Sequence, residues 1–175
     1  SGPPHHSNDA YAYSKRMLEV HCNAYQQQYG DNFICVIPTN IYGPHDNYSL
    51  NDGHVIPALT HRCYLAKKEN IPFRVLGSGT PLRQFIYSED LAKLFMWTLE
   101  NYDQKETLIL SVGEKNEVSI KKVATEIAKS FNYEHMIEFD TRYADGQFKK
   151  TADNTKLMNL IGKCVVKGQT DKSLL

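Results

Sequence analysis

Between residues 7 and 38 the chain carries a helix with two apolar stripes that runs directly into an unbroken apolar pentapeptide. Tyr13, Met17, Val20 and Ala24 form one stripe at helical spacing, and Leu18, Cys22, Tyr25 and Tyr29 form another. A solitary amphipathic helix needs only one stripe, so two predict burial against a sheet on one side and a partner helix on the other. Ser7, Asn8 and Asp9 offer capping oxygens before the helix, and Gly30 is placed to end it. Phe33-Ile-Cys-Val-Ile37, ending at Pro38, reads as a strand covered on both faces, as in a parallel sheet. Together the two segments predict α/β architecture.

The remaining pattern extends that architecture. Thr39 to Gly53 is rich in Asn, Asp, Gly and Pro and is expected to be a loop, after which Ile56, Leu59 and Cys63 mark a helix over residues 54–67. Short strands are predicted at 73–76 and 84–87, flanking the turn Gly77-Ser-Gly-Thr-Pro81. Ser88 is placed to cap a helix whose first turn holds Glu89 and Asp90 and whose buried side holds Leu91, Leu94, Phe95 and Trp97. A strand at 108–112 follows. Ser119 caps the clearest amphipathic helix, through Ile120, Val123, Ala124, Ile127 and Phe131. A strand at 136–139, a polar loop at 141–151 and a brief helix near 157–161 complete the series.

Charge and cysteine usage narrow the function classes. Twenty basic and twenty acidic residues give a net charge of +0, so composition offers no general grip on nucleic acid or an acidic membrane, and an anionic partner must be held locally. The apolar runs are far too short to cross a bilayer. Cys22, Cys35, Cys63 and Cys164 are scattered, which suits reduced, mostly buried thiols in a cytoplasmic compartment. His45 with Asp46 and the pair His5-His6 lack partners at ligand spacing, so no metal site is expected. Gly77-x-Gly79 is no dinucleotide fingerprint, because Pro81 stands where a helix would open.

Two groups of residues can carry chemistry. Tyr11 and Lys15 stand four apart on one helical face, where the ammonium favours the ionised phenol, and the pair can relay a proton. The segment from Pro38 to Asn47 leaves the carboxyl end of a buried strand, where open α/β sheets bind ligands. His54 reads from spacing alone as a solvated residue at a helix start, and Arg62 and Arg83 as ordinary surface residues.

A series of ordered motifs changes that weighting. Gly2-Pro-Pro-His, Tyr11-x-x-x-Lys15, PTNIYGPHDNY from Pro38, DGHVIPAL from Asp52, GSGTPLRQFIYSEDLA from Gly77, LSVGE from Leu110 and DGQFKKT from Asp145 resemble the extended short-chain dehydrogenases/reductases. Within them the chain is similar to the branch that uses NADPH to convert GDP-4-keto-6-deoxymannose to GDP-L-fucose, by epimerisation at two carbons and reduction of the ketone. The likeness covers nearly the whole chain but only the C-terminal half or so of the family's proteins.

The resemblance implies the C-terminal part of a Rossmann-like parallel sheet plus a small α/β substrate-binding domain. Residues 1–50 would form the last helix and strand of the Rossmann-like part. Residues 51–175 would be mainly the substrate domain, with 84–101 returning to the first. It implies Tyr11 as proton donor to the ketone, Lys15 as its partner and a ligand of the nicotinamide ribose, and Pro38, Thr39, Asn40 and Ile41 as the nicotinamide lining. His54 would serve as the epimerisation acid beside the cofactor. Arg62, Leu76, Arg83 and Asp145 match nucleotide-sugar positions, and Leu76 replaces a frequent Trp, removing a stacking surface. It further implies a homodimer through the helix at 7–29, and an N-terminal half carrying the dinucleotide fingerprint. Without that half these 175 residues are expected to be inactive; the alternative is a non-catalytic nucleotide-sugar-binding or dimerisation module.

Overall fold

A computed structural model describes Pro3 and residues 9–161. Its regular elements are α1 (Asp9–Tyr29), β1 (Val36–Pro38), β2 (Asn40–Tyr42), α2 (Val55–Glu69), β3 (Phe73–Leu76), β4 (Leu82–Arg83), β5 (Phe85–Tyr87), α3 (Ser88–Asn101), β6 (Leu108–Leu110), β7 (Val118–Ser119), α4 (Ile120–Ser130), β8 (Ile137–Asp140) and α5 (Thr155–Ile161). β1 pairs with β6, β2 with β5 and β3 with β8, all parallel, while β4 and β7 pair antiparallel. The α/β expectation holds.

Two cores form. In the first, Leu59, Cys63 and Ala66 of α2 meet Phe73 and Val75 of β3 and Val123, Ala124 and Ala128 of α4. The second joins Ile86, Leu91 and Leu94 to Leu108, Leu110 and Leu157, with Trp97 half-buried against it. The capping expectation for α4 is met: Ser119 Oγ accepts the Lys122 N–H at 3.1 Å. Gly30 ends α1 at φ 75°, with its N–H on the Gln26 carbonyl at 3.0 Å. Only glycine adopts that left-handed conformation without strain.

Several expectations are corrected. The apolar stripes of α1 are largely uncovered: Tyr13, Met17, Val20, Leu18, Tyr25 and Tyr29 are all exposed, and of the two stripes only Cys22 turns inward, beside Ala12, Glu19 and Gln26. Polar contacts hold this side, since Thr107 donates to Glu19 Oε1 and Gln26 Nε2 donates to the Phe33 carbonyl. The strand after it is shorter than expected, covering Val36–Pro38, and Phe33 and Ile37 are 46% and 47% exposed. Inside the expected loop at 39–53, residues 40–42 pair with β5 as β2. Ser88 does not cap α3; Tyr87 holds the N-cap position with no side-chain bond, and Ser88 Oγ lies against Gly43, where an added Cβ would stand only 2.1 Å away. Phe95 is 38% exposed.

Cys63 is buried, and Cys22 and Cys35 are half-buried. Ser7, Asn8, His5, His6 and Cys164 lie outside the described residues. No helix among the described residues is long and apolar enough to cross a membrane.

Candidate active site

A cavity of about 310 Å³ opens between α2, the end of β3, β4, the start of α4 and residues 144–146. Arg62, Leu76, Arg83 and Asp145, scattered along the sequence, all line it. Helix α2 buries Leu59 and Cys63 in the first core, and Arg62 on the neighbouring face is carried to the cavity wall. Arg83 gets there by strand alternation: the next side chain, Gln84, points into the protein and is fully buried. Among the described residues neither Arg62 nor Arg83 has a carboxylate within ion-pair distance. One Arg83 N–H is used on the Leu82 carbonyl at 2.6 Å. A guanidinium has five donors in a planar fork, so most of this one remains available to an anion.

The turn between β3 and β4 shapes the opposite rim. Gly77 and Gly79 take φ of 89° and 76°, and a Cβ on either would meet Asp145 Oδ1 at 2.5 Å or the Phe139 ring at 2.6 Å. Both glycines are therefore favoured by backbone conformation and by close packing, within the turn that the sequence led us to expect. Asp145 is held by Ser78, through Oδ1 to the backbone N–H at 2.9 Å and through Oδ2 to the hydroxyl at 2.6 Å.

Tyr11 and Lys15 meet as the spacing requires. Lys15 Nζ lies over the Tyr11 ring, 5.5 Å from its centroid, and the phenol is 59% exposed. The ammonium engages the ring face as a cation–π contact. Pro38 to Ile41 run from the carboxyl end of β1 into β2, with Pro38 and Thr39 half-buried and Asn40 and Ile41 exposed. Among the described residues Thr39 Oγ1 is buried without a hydrogen-bond partner. His54 is the exposed N-cap residue of α2; its carbonyl accepts the Ala58 N–H at 3.0 Å, and its imidazole takes no part in the cap. Its chain neighbours Gly53 and Val55 both line the cavity, whereas Tyr11, Lys15 and residues 38–41 do not. Among the described residues no three His, Cys, Asp or Glu side chains gather as metal ligands.

Three positioning contacts escape the sequence, though Asn40 itself is among the residues it singles out. Gln84 donates Nε2 to the carbonyls of Val112 and Ala152 at 2.7 and 3.0 Å, and accepts the Ala152 N–H at 2.7 Å. Asn40 Nδ2 donates to the Gln84 carbonyl at 2.8 Å, tying the segment after β1 to the strand that carries Arg83. Ser78 is the third. A polar residue between Arg83 and Phe85 is the only sequence signal for Gln84, and nothing in the chain marks its distant partners.

The profile of the NAD dependent epimerase/dehydratase family matches residues 1–113. Over 161 residues the chain is 58% identical to GDP-L-fucose synthase of Dictyostelium discoideum, covering 92% of this chain and 50% of that protein. It is 47% identical over 168 residues to a probable GDP-L-fucose synthase of Drosophila melanogaster, covering 92% of this chain and 52% of that protein. The crystal structure of a GDP-L-fucose synthetase from Naegleria fowleri bound to NADP superposes with a TM-score of 0.88 at 47% identity, over 91% of this chain and 49% of that one. The chain thus spans about half the length of the relatives it matches. With parallel strand pairs, a Tyr–Lys pair one helical turn apart and this sequence match, the chain belongs to the NAD dependent epimerase/dehydratase family.

Proposed function

We propose that this chain is part of a GDP-L-fucose synthase, which epimerises GDP-4-keto-6-deoxy-D-mannose at C3 and C5 and reduces C4 with NADPH. The observation that carries this reading is the convergence of Arg62 and Arg83, without carboxylate partners among the described residues, on one cavity of about 310 Å³. That volume falls in the range of small-ligand pockets, and two guanidinium forks suit a diphosphate. Local cationic recognition also reconciles an anionic substrate with a chain of zero net charge. In this reading Leu76 and Asp145 border the sugar or base end, and residues 51–161 outside 84–101 make up most of the substrate domain.

Tyr11 gives its proton to the C4 oxygen, and the Lys15 ammonium beside the ring stabilises the negative charge left behind. NADPH supplies the hydride when bound. Tyr11, Lys15, Pro38, Thr39, Asn40, Ile41 and His54 are the residues that would hold its nicotinamide end. They fit that role in one specific respect: Thr39 Oγ1 is a buried polar atom with no hydrogen-bond partner among the described residues, at the carboxyl end of a parallel strand. His54, whose imidazole is not spent on its helix, returns a proton to the epimerising carbon. The bare stripes of α1 fit a homodimer through the helix at 7–29, and the unpaired thiols fit a reducing cytoplasm.

The test is NADPH oxidation with the keto sugar in the full-length protein. Tyr11→Phe is expected to abolish reduction while GDP binding by calorimetry stays unchanged. These 175 residues alone are expected to show no turnover. GDP binding with no turnover by the full-length protein would favour the alternative, a non-catalytic nucleotide-sugar-binding or dimerisation module, for which the exposed apolar face of α1 is the supporting observation.

A further inference from the structure

The wall of the cavity formed by Ala144, Asp145 and Gly146 belongs to a segment without regular structure, between β8 and residue 149. Backbone bonds hold both ends: Gly77 N–H donates to the Asp140 carbonyl at 2.9 Å, and Leu82 N–H to the Phe148 carbonyl at 2.8 Å. Between those ends the segment is tied by Asp145, both of whose carboxylate oxygens are engaged by Ser78. Ser78 is itself fixed. Its hydroxyl contacts the Thr80 hydroxyl at 2.7 Å and accepts the Thr80 N–H at 3.1 Å, inside the turn bounded by the two left-handed glycines. At Gly77 the approach of Asp145 leaves no space for a side chain.

We infer that Ser78 is a positioning residue that clamps Asp145, and with it the 144–146 wall, so that the cleft holding Arg62 and Arg83 is built before a ligand arrives. The inference rests on reading that cleft as a nucleotide-diphosphate site. The resemblance assigns Asp145 to ligand contact, yet its carboxylate is turned to the backbone and hydroxyl of one serine of the same chain. A wall ordered in advance spares the ligand the cost of ordering it on binding. Arg83 benefits directly, because its Nη2 lies 3.5 Å from where a Cβ on Gly146 would stand.

Ser78→Ala removes the hydroxyl bond and keeps the backbone one, so the wall loosens without detaching. In the full-length protein GDP affinity is expected to fall roughly fivefold to tenfold, the effect of one charge-assisted hydrogen bond. Amide hydrogen exchange in residues 142–147 should rise by a similar factor, NADPH affinity should stay unchanged, and Ser78→Thr should restore both losses. A wild-type-like GDP affinity together with unchanged exchange in Ser78→Ala would overturn the clamp. So would a loss of NADPH and GDP binding in parallel, which marks general destabilisation. Failure of the wild-type protein to bind GDP at millimolar concentration would instead remove the diphosphate reading, and exchange in residues 142–147 would then decide the clamp alone.

Discussion

Gln84→Met tests whether the buried amide is what fixes the strand bearing Arg83. Methionine matches glutamine in length and leaves no polar tip, so the change removes three hydrogen bonds at once. The Val112 carbonyl keeps a second donor, the Ser111 hydroxyl at 3.1 Å, and is not orphaned. The N–H and carbonyl of half-buried Ala152 each lose the bond Gln84 made, at about 2 kcal/mol for each group left unsatisfied, against a gain of about 1.5 kcal/mol for burying the thioether. The net expectation is a loss of about 2.5 kcal/mol. With a denaturant slope of about 2 kcal/mol per molar, the urea midpoint of the purified full-length protein should drop by about 1 M. Gln84→Glu sharpens the test, because a carboxylate oxygen in place of Nε2 would face the Val112 and Ala152 carbonyls at 2.7 and 3.0 Å. Burial and those carbonyls disfavour its charged form, so the Glu variant should be weaker than Met at pH 7 and recover toward it as acid protonates the carboxyl. A Met variant within about 0.5 kcal/mol of wild type, or a Glu variant indifferent to pH, would show that these bonds do not hold the strand.

Three further outcomes follow from particular contacts. Arg62→Ala and Arg83→Ala should each weaken GDP binding about tenfold to a hundredfold, and a double mutant losing less than the sum would show that both grip the same diphosphate; calorimetry decides. The Arg142 guanidinium, bonded to both carboxylate oxygens of Asp140 at 2.8 and 2.6 Å, holds that carboxyl down at about 2. Its folded value is depressed, so the contribution is fully present above the unfolded value of about 3.9 and is lost as pH falls toward 2; Arg142→Ala should move the carboxyl resonance of Asp140 upward in an NMR titration. Burial pushes the Cys63 thiol up, partly offset by the Lys67 charge, and leaves it no exposed surface. Iodoacetamide at neutral pH should therefore spare Cys63 until the protein is unfolded, as peptide mass mapping would reveal.

The sequence alone determined the elements whose signals are local. Ser119 before the stripe Ile120, Val123, Ala124 and Ile127 is sufficient to place α4, and Tyr11 and Lys15 must meet because a helix brings residues four apart together. The turn at Gly77 to Pro81 was legible for the same reason, though not the left-handed conformation of its two glycines. Tertiary structure decided what depends on partners far along the chain. The pairing of Asn40–Tyr42 with Phe85–Tyr87 turned part of a polar loop into β2, and the closeness of Gly43 drew Ser88 away from the cap its type suggests. The stripes of α1 were read correctly as apolar, but burial is a property of the surroundings, and within this chain a polar side of the helix makes the contacts. The cleft is the clearest case. Arg62, Leu76, Arg83 and Asp145 come from a helix, two strands and an irregular segment, and only the fold, pinned by Gln84 and Ser78, places their side chains around one cavity.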